Sequence, residues 1–155
     1  MLRRIVLFSA AVANLLLVDQ LVKAASVSSL QGRPPVEVVH NLFDLAYVEN
    51  RGCAWGMCQG AVWPLATFGA VALLFLIWKR RAVFGEAWVS PCLMYAGILG
   101  NVVDRIGRGY VIDMFDFHWG VHHFPCFNLA DTYICIAAGL LILDSIRQDL
   151  KKKGS

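Results

Sequence analysis

Two aspartates stand where a carboxylate is costly. Asp113 lies within Val111-Ile112-Asp113-Met114-Phe115-Asp116-Phe117, and Asp131 closes Phe127-Asn128-Leu129-Ala130-Asp131. Ionisable groups among apolar residues at membrane depth are candidates for function. Two carboxylates at contact distance in a site of low dielectric cannot both ionise easily, so they share a proton. One then serves as acid and the other as base. Such a pair activates a water molecule for amide hydrolysis and needs no serine or cysteine nucleophile. Asn128 and Asp131 also have the spacing of a helix N-cap and its third residue, so capping alone accounts for that pair. Capping does not exclude chemistry, because the helix dipole favours the ionised form of a first-turn carboxylate.

Three further constellations carry polar groups on or beside apolar runs. Asp19 and Lys23 are four residues apart and share a helix face. Taken alone they read as a helix-end ion pair, with Lys23 reaching toward headgroups. Glu49-Asn50-Arg51-Gly52-Cys53-Ala54-Trp55-Gly56 reads either as a polar turn or as a backbone that approaches a ligand closely. In Gly97-Ile98-Leu99-Gly100-Asn101-Val102-Val103-Asp104-Arg105, small residues at 96, 97 and 100 admit a close helix neighbour. Asn101, Asp104 and Arg105 then fall on one face. The bland account of the last group is an ion-pair network of Asp104 with Arg105 or Arg108.

Metal chemistry finds less support. His118 and His122 would share a face on a helix, with Asp113 or Asp116 as an oxygen ligand. Gly120 and Pro125 instead make this segment a wet, aromatic surface loop, and no HExxH pattern occurs. Of the five cysteines, Cys53 and Cys58 have a loose ligand-like spacing that no second pair answers. They read as small apolar fillers. No metal or other cofactor is expected.

The elements that must position these groups are membrane helices. The chain of 155 residues is 58% hydrophobic and 16% charged. A soluble domain is nearer half apolar and about a quarter charged. Apolar runs cover about 5–22, 61–78, 87–103 and 128–143 in a single domain. Each is at the short end of the ~20 residues that cross a bilayer. The first imitates a secretory signal peptide, but Asp19 and Lys23 interrupt it before Ala24-Ala25-Ser26, and it is read as a retained helix. Arg3, Arg4, Lys79–Arg81, Arg147 and Lys151–Lys153 fall on one side of a four-pass arrangement. Lys23, Arg33, Arg51, Arg105 and Arg108 fall on the other. The positive-inside rule then puts both termini in the cytoplasm. Most carboxylates collect at the outer face. In the outer segment Val36–Val39 and Leu42–Val48 have strand character. The five tryptophans, Trp55 among them, fall near interfaces. A net charge of +3 without a basic stripe excludes a nucleic-acid partner.

Five blocks, Asp19-Gln20-Leu21-Val22-Lys23, Asn50 to Gly56, Gly100 to Arg105, Val111-Ile112-Asp113 and Phe127 to Asp131, resemble in content and order the signature of the lipoprotein signal peptidases (signal peptidase II). The resemblance implies a mostly α inner-membrane enzyme with four transmembrane helices, a small extracytoplasmic β-cradle and a short surface helix. It implies an aspartyl endopeptidase that cleaves prolipoproteins just before a cysteine carrying diacylglyceryl, with Asp113 and Asp131 as the catalytic pair. Asp113 rather than Asp116 follows from the Val-x-Asp pattern. Asp19, Lys23, Asn50, Gly52, Asn101, Arg105 and Asn128 match the supporting polar shell. Membrane lipids, lipid-modified precursors and globomycin-type inhibitors are the partners it implies. Ala96 departs from a glycine frequent in the family, and Cys53 is a variant within its block. Two other classes remain to be weighed: a metal-dependent membrane protease using the histidine segment, and a non-enzymatic subunit whose carboxylates bind cations or relay protons.

Overall fold

The structure is a computed structural model that describes residues 2–53 and 57–153. Five helices and four strands follow in the order α1 (Leu2–Leu30), β1 (Val36–Val39), β2 (Phe43–Asn50), α2 (Val62–Trp78), α3 (Arg80–Phe84), α4 (Val89–Arg108), β3 (Val111–Trp119), β4 (His122–His123) and α5 (Leu129–Lys153). The molecule is therefore mostly helical, with one small antiparallel sheet in the order β1-β2-β3-β4. Ala54-Trp55-Gly56 and the role expected of Trp55 lie outside the described residues.

Helix α4 is the centre of the bundle and packs against α1, α2 and α5. Its buried side includes Cys92, Tyr95, Ala96, Gly97, Gly100, Val102 and Asp104. Small residues make this packing possible. A Cβ on Gly97 would collide with the Ala130 carbonyl of α5. One on Gly100 would sit 2.6 Å from Asp19 Oδ2 and 3.0 Å from Ala130 Cβ. The small stripe read at 96, 97 and 100 thus lets α4 touch both the first turn of α5 and Asp19. Farther along, Tyr95 donates from its hydroxyl to the Leu76 carbonyl at 3.1 Å. It packs edge-on against Phe8 and Phe84.

The outer helix faces are apolar. On α2 only Ala66 and Leu73 are buried, while Phe68, Val71, Leu74, Phe75 and Ile77 are exposed. Leu17, Val18 and Leu21 of α1 and Ile136, Ile142 and Leu143 of α5 are exposed as well. So continuous a surface suits lipid rather than water. Helices α1 and α5 are long and apolar enough to cross a hydrocarbon core, while α2 is apolar but spans 17 residues. Trp63, Trp78, Trp88 and Trp119 are all exposed.

Three boundaries differ from the sequence reading. Helix α1 continues to Leu30, because Ala24–Leu30 holds no breaker before Gly32 and the Pro34-Pro35 pair. Helix α4 continues to Arg108, because Asp104, Arg105 and Arg108 find partners inside the protein and do not end it. Helix α5 runs to Lys153 on an exposed charged tail, where Arg147 lies 3.6 Å from Asp144. The one short helix among the described residues is α3, which joins α2 to α4.

Strands β2 and β3 pair antiparallel, with Asp44 opposite Asp116, Val48 opposite Asp113 and Asn50 opposite Val111. A register shift between Leu45 and Val48 interrupts the ladder midway, as a bulge does. On its other side β3 binds the segment leading to α5. The Met114 and Phe115 amides donate to the Phe127 carbonyl at 3.0 and 2.9 Å, and the Phe127 amide donates to the Phe115 carbonyl at 3.2 Å. These bonds set Asp113 of β3 beside Asn128, which opens α5.

Candidate active site

Asn128 holds both aspartates. Its Oδ1 accepts from the Asp131 amide at 3.0 Å, and its own amide donates to Asp131 Oδ2 at 3.2 Å. This is the reciprocal capping box that the spacing predicts. The Asn128 Nδ2 group is left free for other bonds, and it donates to Asp113 Oδ1 at 2.7 Å and to Asn101 Oδ1 at 3.2 Å. Asn101 Nδ2 in turn donates to Asp131 Oδ1 at 2.7 Å. Asn50, at the end of β2, donates to Asp113 Oδ2 at 2.8 Å. Each carboxylate oxygen of the pair therefore accepts a hydrogen bond, and one amide side chain bridges the two residues.

The electrostatics follow from this placement. Asp113 is 2% exposed. Burial, and then repulsion from Asp131, raise its pKa from the ordinary carboxylate range to about 7, against the bonds from Asn50 and Asn128. The cause is the one anticipated for two carboxylates sharing a site of low dielectric.

A second layer supports the first. Asp19 Oδ1 accepts from the Ala130 amide at 2.9 Å, another free N–H of the α5 N-terminus. Lys23 Nζ lies 2.9 Å from Asp19 Oδ2, 2.9 Å from Asp104 Oδ2 and 3.4 Å from Asn101 Oδ1. Lys23 is fully buried, so it does not reach toward headgroups as a helix-end lysine would. Local spacing identified its pairing with Asp19, but could not reveal Asp104, eighty residues on. Asp104 also binds Arg108, as the ion-pair account allowed, and accepts from Gln20 at 3.1 Å. Gln20 and Arg108 are members that sequence reasoning did not place in the site. The i,i+4 spacing of Asp104 and Arg108 was the available signal for the latter.

Arg105 ties the turn after β2 to α4. It donates to the Gly52 carbonyl at 2.9 Å and to the Asn101 carbonyl at 3.3 Å, while the Gly52 amide donates to Asn50 Oδ1 at 2.9 Å. Any Cβ on Gly52 would collide with the Met57 carbonyl. Gly52→Ala must therefore shift the turn and with it Asn50. We expect it to lower kcat/KM at least tenfold for the hydrolysis this carboxylate pair would perform, a loss of at least about 1.4 kcal/mol in transition-state binding.

All nine expected site residues thus fall in one connected network. It borders a cavity of about 520 Å³. Asn50, Asn101, Arg105, Asp113 and Asp131 form its polar side, and Val111, Phe127, Ile134 and Ile136 contribute an apolar wall. A second cavity of about 400 Å³ shares Asn50, Cys53 and Asp113 and is lined further by Glu49, Asp116 and His123. The histidine segment is not the loop expected from Gly120 and Pro125. It is a hairpin in which His118 pairs with His123 across β3 and β4. His118 Nε2 lies 3.3 Å from Asp44 Oδ1, and His123 Nδ1 lies 2.8 Å from Asp116 Oδ1. Strand geometry therefore separates His118 from the helical partner imagined for it, His122. No cluster of three His, Cys, Asp or Glu side chains with metal-binding geometry occurs among the described residues.

Helices with apolar outer faces around a cavity that pairs two carboxylates define a membrane protein with an enzyme-like polar site. Comparison with known proteins makes the class specific. The family described as Signal peptidase (SPase) II matches residues 11–147. The lipoprotein signal peptidase of Syntrophotalea carbinolica is 37% identical over 140 residues, covering 86% of this chain and 87% of that one. That of Geobacter metallireducens is 34% identical over 154 residues, covering 94% of each. A solved bacterial membrane enzyme superposes with a TM-score of 0.78 at 25% identity, covering 94% of this chain and 90% of that one. The chain belongs to the signal peptidase II family and is a membrane protease.

Proposed function

We propose that the protein removes signal peptides from diacylglyceryl-modified prolipoproteins by aspartate-catalysed hydrolysis, cutting before the lipidated cysteine. The observation that carries this reading is the bridging of Asp113 and Asp131 by Asn128 beside a cavity lined by both polar and apolar residues. In the mechanism, Asp131 acts as base. Its oxygens accept from Asn128 N–H and Asn101 Nδ2 at the start of α5, where negative charge is favoured. It takes a proton from water as the water oxygen attacks the scissile carbonyl. Asp113, protonated up to about pH 7, gives its proton to the carbonyl oxygen. Collapse of the tetrahedral intermediate breaks the C–N bond as one hydroxyl returns its proton to Asp113, and the proton on Asp131 passes to the leaving amine of the cysteine. Asp19, Lys23, Asn50, Gly52, Asn101, Arg105 and Asn128 position the pair and the substrate backbone.

In the same reading, α1, α2, α4 and α5 all cross a bacterial inner membrane. Both termini are then cytoplasmic, and the sheet and active site lie at the outer leaflet. Helix α4 tolerates its charges because α1, α2 and α5 screen it from lipid. Two acyl chains hold the precursor in the bilayer, so it approaches laterally and lays them along the apolar wall. Globomycin-type peptides would occupy the same cavity.

The test is a gel-shift assay on a diacylglyceryl-modified precursor, in lipid and with chelator present. Cleavage that persists in chelator and is lost in the Asp113 and Asp131 variants supports the dyad, whereas loss in chelator would favour a metalloprotease. Ion flux without cleavage would favour a carrier. The pH profile adds a second check. Because the upward-displaced Asp113 must be protonated, kcat/KM falls as pH rises through about 7. A rate constant flat from below neutrality to well above it contradicts this assignment.

A further inference from the structure

We infer that Cys53 and Cys58 are a redox pair, closing to a disulfide that clamps the turn beside Asn50 and Gly52. The described residues on either side of 54–56 are bonded to each other. The Gly60 amide donates to the Arg51 carbonyl at 3.1 Å, and the Cys53 amide donates to the Met57 carbonyl at 2.9 Å. Cys53 Sγ also points across the turn, 3.4 Å from that same Met57 carbonyl, whose carbon is bonded to the nitrogen of Cys58. A Cβ built on Gly52 would come within 3.2 Å of the Cys58 carbonyl carbon. Burial, and then the neighbouring Cys58 thiol, push the Cys53 thiol up. A disulfide requires two chain segments as close as these.

Access and compartment complete the argument. Cys58 is exposed and Cys53 is half-buried, and both are free thiols. The inference rests on the proposed placement of this turn at the outer leaflet, because disulfides persist in the bacterial periplasm and not in the cytosol. The oxidant is a disulfide donor, either an oxidised dithiol oxidoreductase or oxidised glutathione. Cys58 Sγ attacks one sulfur of the donor and displaces the other as a thiolate. Cys53 Sγ then attacks Cys58 Sγ and releases the second donor thiolate. One S–S bond forms and one breaks. The donor gains two electrons, and the two thiol protons leave with its sulfurs. Closing so short a loop restricts the unfolded turn. It holds Gly52 where its carbonyl meets Arg105 and its amide meets Asn50.

Thiol accounting on the full chain in nanodiscs tests this without reference to cleavage. After treatment with oxidised glutathione and then maleimide, we expect two fewer adducts and a protein lighter by two hydrogens. A phosphine-sensitive cross-link should map to Cys53 and Cys58. In intact cells quenched in acid, the same pair should be found already oxidised. Full alkylation of both residues, separate glutathione adducts, or pairing with Cys126 or Cys135 would overturn the inference, as would a reduced pair in cells. The oxidised form should also melt several degrees above the reduced one, with the difference lost in Cys53→Ser and Cys58→Ser. A bond without that rise overturns the clamping role. None of these results touches the dyad, and failure of the dyad variants to lose cleavage leaves the thiol result standing.

Discussion

Asp113→Asn and Asp131→Asn should each lower cleavage of a diacylglyceryl-modified precursor by about 10³-fold or more, since each removes one half of an acid–base pair. Both asparagines keep the shape of the side chain but only one acceptor oxygen, so each loses one accepted hydrogen bond together with the proton transfer. A stability measurement separates this from misfolding. The folded-state pKa of Asp113 lies above its unfolded value. Its contribution to stability is therefore full below about pH 4 and is lost as pH rises through about 7. From about pH 5 to about pH 8 the Asp113→Asn protein should gain in melting temperature relative to the parent while being inactive throughout. Asp116→Asn provides the control. Asp116 pairs with His123 and lies opposite Asp44, so its replacement should leave most of the activity. If Asp113→Asn were fully active, or Asp116→Asn the inactive one, the assignment of the acid would fail.

The second large effect is expected at Lys23. Its ammonium lies between Asp19 and Asp104, and all three side chains are fully buried. A buried ion cluster adds little over an apolar replacement of the whole, but removing one member strands the charges it neutralised. Lys23→Met should therefore cost about 3–5 kcal/mol, read as a large drop in unfolding temperature in detergent. Adding Asp19→Asn and Asp104→Asn should recover part of that loss, since no stranded carboxylate then remains. Lys23 also favours the ionised form of Asp113. In a Lys23→Met protein that still folds, the alkaline fall in kcat/KM should move to higher pH. Unchanged stability would show that the cluster is not held as described.

Much of this arrangement was legible from local pattern. The β-branched run Val36–Val39 is β1 as read, and β2 begins within one residue of the expected Leu42. The small residues at 96, 97 and 100 do admit a close neighbour. The Asn128 and Asp131 spacing does form a capping box, and the same atoms serve the site. What was not legible depended on contacts distant in sequence. Asp104, Arg105 and Arg108 look like the end of an apolar helix, yet α4 continues through them because Lys23, Gln20 and the Gly52 carbonyl receive their charges and donors. Gln20 lies within the Asp19 to Lys23 block, but nothing local assigns it a role. Its partners Asp104 and Arg108 lie more than eighty residues away. The β3–β4 hairpin was hidden because Gly120 and Pro125 signal a break without saying that the chain pairs again across it.

The atoms that begin α5 also complete the paired carboxylates. Asp131 is oriented by the cap of its own helix, Asp113 by the cap residue, and the Phe127 backbone fastens that cap to β3. If the pair works as proposed, hydrolytic competence belongs to the assembled fold and to no part that lacks α5. A nascent chain ended before α5 would lack Asp131, the bridging amide and half of the hydrogen bonds to Asp113. It would pass through biogenesis as a latent enzyme, armed only when its last helix docks.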